Sequence, residues 1–342
     1  MMPPAGVQGP APSSILIVRL GALGDIVHAI PAAAAIRAAF PSARIDWLVD
    51  AKWREVLDLV PVLDRVIVLE KPRVSGWLAA ARALRAARYD VALDFQGLMK
   101  SAVLARASGA KRVLGFSIWH LREKTARPFY SESVKAEGGH VIQKNLRLLE
   151  ALGIQTDRVE FPLADVPSRA ADDVVAAAAG AGIALINPGA AWPNKRWEAL
   201  RFGEVAAFLR DVRGLAPFVL WGPGEETLAQ AVVAASSGAA RQAPPTEIAD
   251  LVALCRRASL MISGDTGPLH IAAAVGTPIV SLFGPTDAER NGPWSPHDRV
   301  ISRFDACECH YDRRCHGTQW CLASIEVAEV TAAVQHRLAE RS

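Results

Sequence analysis

The stretch that decides the fold is "ILIVRLGALGDIVHAIPAAAAIRAAF", residues 15–40. Its first six residues are almost continuously apolar and predict a buried strand, and the Ala-rich part predicts a helix with a kink near Pro31. A strand that passes through a short glycine-containing turn into a helix is typical of a doubly wound parallel sheet. Asp25 follows that turn, which is compatible with a nucleotide-binding loop, a packing turn or the seat of a catalytic base.

The same alternation of strand and helix runs on both sides of one irregular segment. Residues 156–169 contain two prolines and no clear period, so they are the best candidate for a linker. Before them we predict strands at 44–50, 65–70 and 90–97 and helices at 75–89 and 140–154. After them we predict strands at 182–189, 217–224, 260–264 and 277–284 and helices at 197–210, 225–236, 246–257, 267–275 and 324–339. The pattern favours an α/β fold of two Rossmann-like doubly wound domains, although one large α/β domain would also produce it.

Composition limits the classes of function. The 342 residues are 51% hydrophobic, and no apolar run reaches the roughly 20 residues that span a bilayer. The N-terminal "MMPPAGVQGPAPSS" lacks the basic and apolar regions of a signal peptide, so residues 1–14 are predicted to be a disordered tail and the protein to be cytoplasmic. Residues 1–165 carry a net charge of +6 and residues 166–342 a net charge of −3. The front half should favour an anionic partner unless its charge is a solvated face, and no basic run with interleaved aromatics indicates nucleic acid.

In the rear half, "SGDTGPLH" (263–270) lies between a predicted strand and a predicted helix, where open α/β sheets bind their ligands. Gly267 and the backbone N–H groups of the helix start favour phosphate, and the Thr266 hydroxyl adds a donor. Asp265 would repel bare phosphate, so a sugar diphosphate, with hydroxyls beside the phosphates, fits better. His270 lies one turn further on. The alternative is a helix cap with a core histidine.

Two more predicted strand ends carry residues of the ligand-binding type. "NPGAAWPNKRW" (187–197) contains Lys195, a suitable partner for a leaving diphosphate, although an ordinary surface lysine is an equally good interpretation. "LWGPGEE" (220–226) contains Glu225, which either accepts hydrogen bonds from ribose hydroxyls or complements the charge of a helix N-terminus. The three strand ends together favour a ligand site.

In the front half, Gly21 and Gly24 lack the third glycine of a dinucleotide fingerprint. Asp50 nevertheless ends the second strand, where a ribose-binding acid would lie, so an NAD-type oxidoreductase remains an alternative. Asp25 at the start of a helix is either a cap or a carboxylate kept ionised for use as a general base.

The cysteine-rich stretch "CECHYDRRCHGTQWC" (307–321) contains His310 and His316 besides its four cysteines. Cys307, Cys309, Cys315 and Cys321 lack the paired C-x-x-C spacing of a zinc ribbon. We therefore predict no metal and a reduced, locally packed loop, with a metal site as the alternative.

The chain resembles the ADP-heptose:lipopolysaccharide heptosyltransferases, glycosyltransferase family 9. The resemblance covers most of residues 15–335 and rests on the opening stretch, "DFQGLMKSA" (94–102), "NPGAAWPNKRW", "SGDTGPLHIAAAVGTPIVSLFGPTD" and the cysteine-rich tail. "LREKTARPFY" (121–130) and the region of His140 favour heptosyltransferase I, whereas the cysteine-rich tail is more typical of heptosyltransferase II.

The resemblance implies a GT-B fold, in which two Rossmann-like domains face each other across a cleft. Residues 15–165 would bind the acceptor, residues 166–325 would bind the nucleotide sugar, and 326–342 would form a helix crossing back to the first domain. It also implies inverting, metal-independent transfer of L-glycero-D-manno-heptose from ADP-heptose to the Kdo of the lipopolysaccharide inner core. No cofactor is expected. The enzyme would work peripherally at the cytoplasmic face of the inner membrane; the oligomeric state is left open.

The resemblance also implies roles for single residues. Asp25 matches the base that deprotonates the acceptor hydroxyl, Lys195 the lysine on the donor diphosphate, and Glu225 a glutamate near the ribose. The donor-binding cluster is matched by Asp265, Thr266, Gly267 and His270. The candidate contacts for an anionic acceptor such as Kdo-lipid A are Gly21, Gly24, Arg122, Lys124 and Arg127.

One departure from the family concerns the residues before Lys195. Heptosyltransferase I enzymes carry a Thr-Thr pair there, whereas this chain has Ala190-Ala191. Two hydroxyl contacts to phosphate are therefore missing, and either backbone N–H groups replace them or the donor differs. Another nucleotide-sugar-dependent glycosyltransferase, a sugar epimerase of the same fold and a non-catalytic nucleotide-sugar-binding protein remain alternatives.

Overall fold

The computed structural model describes residues 11–70, 74–315 and 317–340. Residues 1–10 of the predicted tail, His316 and the last two residues lie outside the described part. The chain separates into two compact units, Met1–Ala164 and Asp165–Ser342, one residue from the predicted limit at 165/166. Residues 156–168, close to the predicted linker, contain neither helix nor strand.

The first unit is built on six strands. Its strands are β1 (Ser14–Val18), β2 (Arg44–Asp50), β3 (Arg65–Leu69), β4 (Val91–Asp94), β5 (Arg112–Phe116) and β6 (Glu132–Val134). Its helices are α1 (Leu23–Val27), α2 (Ile30–Ala39), α3 (Arg54–Asp58), α4 (Val74–Ala87), α5 (Met99–Ala107) and α6 (Val141–Leu148). The predicted helix after β1 is two helices, and Pro31 lies in the first turn of α2, where its missing N–H costs no hydrogen bond.

All pairings of the first sheet are parallel, in the order β3-β2-β1-β4-β5-β6. This is the Rossmann strand order, and its direction of winding reverses between β1 and β4. Every residue of β1 is buried, because helices cover both faces of a parallel sheet. In register, Val18 pairs with Leu48 on one side and Asp94 on the other, so the carboxyl ends of β1 and β4 are level.

The second unit repeats this architecture. Its strands are β7 (Ile183–Asn187), β8 (Ala216–Val219), β9 (Arg241–Gln242), β10 (Ala258–Gly264), β11 (Ile279–Phe283) and β12 (Arg299–Ser302). Its helices are α7 (Arg169–Ala178), α8 (Ala199–Asp211), α9 (Glu226–Ala235), α10 (Ile248–Arg257), α11 (Gly267–Ala274), α12 (Ala288–Asn291) and α13 (Val327–Ala339). The sheet order β12-β11-β10-β7-β8-β9 is again parallel, and its winding reverses between β7 and β10. The predicted two doubly wound sheets are thus confirmed.

The last helix belongs to the second unit. Residues 326–342 were predicted to form a helix that crosses back to the first domain, whereas α13 packs against α8, β11 and β12. Val330 and Val334 are fully buried in the core of this unit, and Arg337 Nε lies 2.9 Å from Oδ1 of the buried Asp298. The apolar face of α13 therefore covers the sheet from which its own chain segment emerges.

None of the described helices is both long enough and apolar enough to cross a lipid bilayer.

Candidate active site

Asp25 lies in the first turn of α1, beyond the carboxyl end of β1. Its Oδ2 accepts a 3.3 Å hydrogen bond from the backbone N–H of Ala22 and lies 2.7 Å from Nη2 of Arg19. The side chain is 33% exposed, and within the described part of the chain no hydrogen bond or ion pair uses Oδ1. One carboxylate oxygen is thus fixed by the protein while the other faces outward.

Arg19 is the residue that fixes Asp25. It is 8% exposed, and its Nη1 donates a 2.5 Å hydrogen bond to the backbone carbonyl of Phe95, just beyond β4. The guanidinium therefore bridges the ends of β1 and β4, the point where the winding of the first sheet reverses. This role of Arg19 was not predicted from the sequence. The available signal was a charged residue inside an otherwise apolar strand, because a buried arginine requires a partner.

The features that favoured a dinucleotide loop have structural roles. A Cβ at Gly21 would lie 2.9 Å from Nε1 of Trp53, so glycine is needed here for close packing of the indole. Asp50 Oδ1 accepts a hydrogen bond from Lys52 N and caps the short turn Ala51–Trp53. Gly24 lies within α1, which has only five residues. Neither glycine is placed by these contacts against a ligand.

The predicted basic acceptor contacts divide into two kinds. Arg122 and Lys124 are exposed in the loop that follows β5. Arg127 is half-buried, and its Nη1 donates to the carbonyl of Tyr130 at 3.1 Å, which stabilises the turn Lys124–Phe129. Two of the three guanidinium and ammonium groups are thus available to an anionic molecule.

Asp94, fully buried at the end of β4, orders the neighbouring loops. Its Oδ2 accepts hydrogen bonds from Tyr130 Oη at 2.7 Å and Ser101 Oγ at 2.8 Å, and its Oδ1 accepts from Gln96 N. Burial raises the pKa of the Asp94 carboxyl more than these hydrogen bonds lower it. The role of Asp94 is to join β4, α5 and the turn at Tyr130, and the sequence alone did not show it.

In the second unit, Asp265 is the centre of a buried polar cluster beyond the end of β10. Its Oδ2 lies 2.5 Å from Lys195 Nζ and accepts a 2.6 Å hydrogen bond from Thr286 Oγ1. Its Oδ1 lies 3.3 Å from Nε2 of His270. Residues far apart in sequence therefore meet where the winding of the second sheet reverses, which is the usual ligand position in this fold.

The protonation state of this cluster follows from its partners. Burial by itself raises the pKa of the Asp265 carboxyl, but the hydrogen bond from His270 and the positive charge of Lys195 outweigh burial. The net effect holds the pKa of Asp265 well below its ordinary value. Asp265 is a carboxylate at neutral pH, and it pairs with Lys195 two residues before the start of α11.

Thr266 and Gly267 begin α11 as predicted. The Thr266 hydroxyl accepts a 2.9 Å hydrogen bond from Nδ2 of Asn187, the last residue of β7. The side chain of Thr266 makes no capping hydrogen bond to the helix, so a backbone N–H at the start of α11 is left for another acceptor. Thr266 is thus the N-cap residue of α11, as the alternative interpretation holds, but its side chain does not cap the helix.

Glu225 is brought to the same side of the sheet by a glycine. A Cβ at Gly189 would lie 2.1 Å from Glu225 Oε2, so only glycine allows the carboxylate to lie across the loop after β7. Glu225 Oε2 also accepts from Gly222 N at 3.3 Å, and Arg196 Nη2 lies 3.8 Å from Oε1.

The cysteine-rich loop contacts the loop that carries Lys195. Asn194 Nδ2 donates to the carbonyl of Asp312 at 2.9 Å, which joins the two loops. The indole of Trp192 has Lys195 Nζ at 4.5 Å and the Arg313 guanidinium at 5.6 Å from its ring centroid. Arg313 is therefore a second cation beside Trp192, and no local sequence signal distinguished it from other surface arginines.

The thiols of that loop are reduced and partly buried. Cys309 Sγ lies 3.4 Å from Cys315 Sγ, and Cys307 Sγ accepts from Cys309 N. Burial and the hydrogen bond with Cys307 raise the pKa of Cys321 to about 12. Within the part of the chain that is described, no three His, Cys, Asp or Glu side chains are arranged to hold a metal ion, and His316 falls outside it.

Solved structures with the same architecture define the class. The chain aligns with a glycosyl transferase family 9 protein of Veillonella parvula at a TM-score of 0.79 and 24% identity, over 96% of this chain and 97% of that one. It aligns with E. coli heptosyltransferase WaaC, determined with ADP-2-deoxy-2-fluoro heptose, at a TM-score of 0.74 and 22% identity, over 96% and 100% of the two chains. The fold is that of the GT-B glycosyltransferases.

Sequence comparison then identifies the family. The profile of glycosyltransferase family 9 (heptosyltransferase) matches residues 77–320. Over 297 aligned residues the chain is 28% identical to lipopolysaccharide heptosyltransferase 1 of Pseudomonas aeruginosa. The alignment covers 82% of this chain and 81% of that relative. The protein belongs to glycosyltransferase family 9 and is a glycosyltransferase.

Proposed function

We propose that this protein transfers L-glycero-D-manno-heptose from ADP-heptose to the Kdo of the lipopolysaccharide inner core, with inversion at the anomeric carbon and without a metal ion. The observation that carries the proposal is the cluster of Lys195, Asp265 and His270 at the reversal point of the second sheet. Support for the substrates comes from relatives called lipopolysaccharide heptosyltransferases and from a solved relative with an ADP-heptose analogue.

The donor diphosphate would lie on the backbone N–H groups at Thr266 and Gly267, where the dipole of the eight-residue α11 favours an anion. Lys195 would exchange part of its contact with Asp265 for a phosphate oxygen. Asp265 would keep His270 and Thr286 as partners during that exchange, so its carboxylate would not be left unsatisfied. Glu225 would accept hydrogen bonds from the ribose hydroxyls.

A groove of the second unit, whose lining includes Glu226, the residue after Glu225, suits the nucleotide base. It has a volume of about 500 Å³ and is lined by residues that include Trp221, Glu226, Ala243, Pro244 and Pro245. The indole and the two prolines offer flat apolar surfaces to a purine ring, as nucleotide pockets usually do.

In the transfer step, the acceptor hydroxyl oxygen attacks the anomeric carbon of the heptose. As that C–O bond forms, the bond from the anomeric carbon to the diphosphate oxygen breaks, and the electron pair leaves with ADP. Oδ1 of Asp25 takes the hydroxyl proton, while Arg19 holds Oδ2. One displacement on the face opposite the leaving group inverts the configuration.

The charge that develops on ADP would be stabilised by Lys195, the start of α11 and Arg313. Fixed cations and N–H dipoles stabilise such charge more than water does, because they need no reorganisation during the reaction. These groups would stabilise the negative charge of the leaving diphosphate, as a divalent metal ion does in other transferases.

The Ala190-Ala191 pair bears on which nucleotide sugar is the donor. Ala190 is buried, and its carbonyl accepts a 2.8 Å hydrogen bond from Arg196 Nε, so this loop is held by a backbone contact instead of by hydroxyls. A different nucleotide sugar is the alternative function that this departure favours. The lipid-linked acceptor also implies peripheral association with the inner membrane.

The test is a thermal-shift panel of ADP, NAD and ADP-, UDP-, GDP- and dTDP-sugars, followed by a transfer assay with ADP-heptose and a Kdo-containing acceptor. We expect stabilisation by ADP and ADP-heptose and a product with the inverted anomeric configuration. Stabilisation by another nucleotide alone would reassign the donor. Stabilisation by NAD but not by ADP-heptose, or donor binding without transfer to any acceptor, would contradict the proposal.

A further inference from the structure

An exposed apolar and basic surface lies at the same edge of the first sheet as Asp25. Trp119 is 79% exposed, and Ile118 and Met99 are also exposed, at 39% and 38%. Around them stand basic side chains. We call this set the Trp119 surface, and it consists of Met99, Lys100, Ile118, Trp119, Arg122 and Lys124.

The fold places these residues on one edge of the first sheet. Met99 and Lys100 begin α5 just after β4, and the short turn Ile118–His120 follows β5. The two segments are in contact: Glu123 N donates to the carbonyl of Gly97, and Met99 N donates to Glu123 Oε2 at 2.7 Å. Asp25 follows β1, the neighbour of β4. The carboxyl ends of parallel strands share an edge, so the surface and Asp25 share it too.

The positive charges of the Trp119 surface are not neutralised by ion pairs within the described residues, so they can attract an anionic partner. Two other basic residues lie at the opposite end of β5 and are neutralised there, since Lys111 Nζ lies 2.8 Å from Asp90 and Arg112 is paired with Glu132. By contrast, among the residues that the structure describes, none forms an ion pair with Lys100, Arg122 or Lys124. Lys124 Nζ lies 5.8 Å from the Trp119 ring centroid.

This combination fits an anionic lipid surface. Tryptophan partitions to the membrane–water interface because its ring is apolar and its N–H is polar, and each lysine or arginine near anionic headgroups strengthens binding by about fivefold. Bases of a nucleic acid would need several stacking rings, whereas this surface offers a single exposed indole beside aliphatic side chains.

We propose that the Trp119 surface docks the protein on an anionic membrane, with Trp119 and Ile118 in the headgroup region and the cations on lipid phosphates. The inference rests on the proposed function, in which the acceptor is anchored in a membrane. Docking by this edge brings Asp25 to the side from which a lipid-linked hydroxyl arrives.

The experiment is co-sedimentation of the full-length protein with vesicles that contain no lipopolysaccharide, made either of phosphatidylglycerol with phosphatidylethanolamine or of phosphatidylcholine alone. We expect binding to the anionic vesicles, weakened by salt, and little binding to phosphatidylcholine. The double variant Ile118→Ser/Trp119→Ser should bind about tenfold more weakly. Leu200→Ser/Val212→Ser removes two side chains that are each 61% exposed in the second unit and should bind like the wild type.

Lys100→Glu provides a second, purely electrostatic variant on an exposed position of a helix and should weaken binding about fivefold or more. Turnover with a water-soluble Kdo acceptor should be unchanged in all these variants. The docking surface would be overturned if the wild type did not bind the anionic vesicles, or if the Lys100→Glu variant bound them as well as the control variant. Either result would count even if transfer is observed. Vesicle binding without any transfer would instead contradict the proposed function. Self-association lost with Trp119 would show that a second copy occupies the surface.

Discussion

Lys195 Nζ lies 2.5 Å from Oδ2 of Asp265, although 70 residues separate them in sequence. Both side chains are largely buried, so each is the main charge partner of the other in a region from which water is mostly excluded. A cation that is stored against a carboxylate before the donor binds needs little rearrangement to reach a phosphate. The pair is therefore expected both to stabilise the second unit and to keep Lys195 in position to bind a phosphate of the donor.

Lys195→Met should lower the free energy of unfolding by about 1–3 kcal/mol, because Asp265 would keep only His270 and Thr286 as partners. Lys195→Met/Asp265→Asn should recover most of that stability without recovering transfer. Denaturant unfolding of the full chain measures this, and Lys111→Met, which breaks an exposed pair with Asp90, is the control and should cost under about 1 kcal/mol. Equal losses in both variants would contradict the role of burial.

Acid should destabilise the protein through Asp265. Its folded pKa is lowered, so between the ordinary value of 3.8 and the lower folded value, unfolding takes up a proton. The stabilisation by Asp265 is thus fully present well above pH 3.8 and is lost as the pH falls, with a slope of up to about 1.4 kcal/mol per pH unit. Unfolding of Asp265→Asn, followed by circular dichroism, should depend less on pH in this range. An unchanged slope would refute the assignment.

Asp25→Asn should reduce kcat by about 100-fold or more, because the amide has the shape of the carboxylate but cannot accept the acceptor proton. Donor affinity, measured by calorimetry with ADP, should be unaffected. Asp58→Asn, at a surface carboxylate paired with Arg54, is the matched control. Substantial turnover by Asp25→Asn would exclude Asp25 as the base.

Arg19 should act as a positioning residue. Arg19→Met removes both the contact with Asp25 and the hydrogen bond to Phe95, so kcat should fall by about tenfold or more while the KM for the donor stays the same. Arg19→Lys keeps the charge and should recover part of kcat. A loss of kcat that is the same in both variants, together with a lower unfolding temperature, would indicate a structural role only.

Arg313→Ala should raise the KM for the donor by about fivefold, because a cation near Lys195 and Trp192 is lost. The neighbouring Arg314 is also exposed, and Arg314→Ala should leave the KM unchanged. Steady-state kinetics with varied ADP-heptose distinguishes the two. A common effect of both substitutions would point to the general charge of the loop.

Prediction from the sequence succeeded where one short segment contains the whole signal. The apolar run before Gly21 is buried as β1, and "RIDWLVD" is β2 over the predicted residues. It failed for β5, whose five residues lie between charged and polar neighbours, and for β9, which has only two residues. Such strands are stabilised by their neighbours in the sheet, so their own sequences contain no periodic pattern that predicts a strand.

The sequence by itself determined two doubly wound sheets and the strand ends that carry Asp25, Lys195, Glu225 and Asp265. Alternating hydrophobicity and turn residues are local properties, so they can be interpreted without coordinates. The tertiary structure alone decided which side chains meet: Arg19 with Asp25, Lys195 with Asp265, and Arg313 with Trp192. These contacts depend on sheet order and loop packing, which bring together residues that are distant in sequence. The stability of such a contact depends on both partners, so it cannot be inferred from either segment alone.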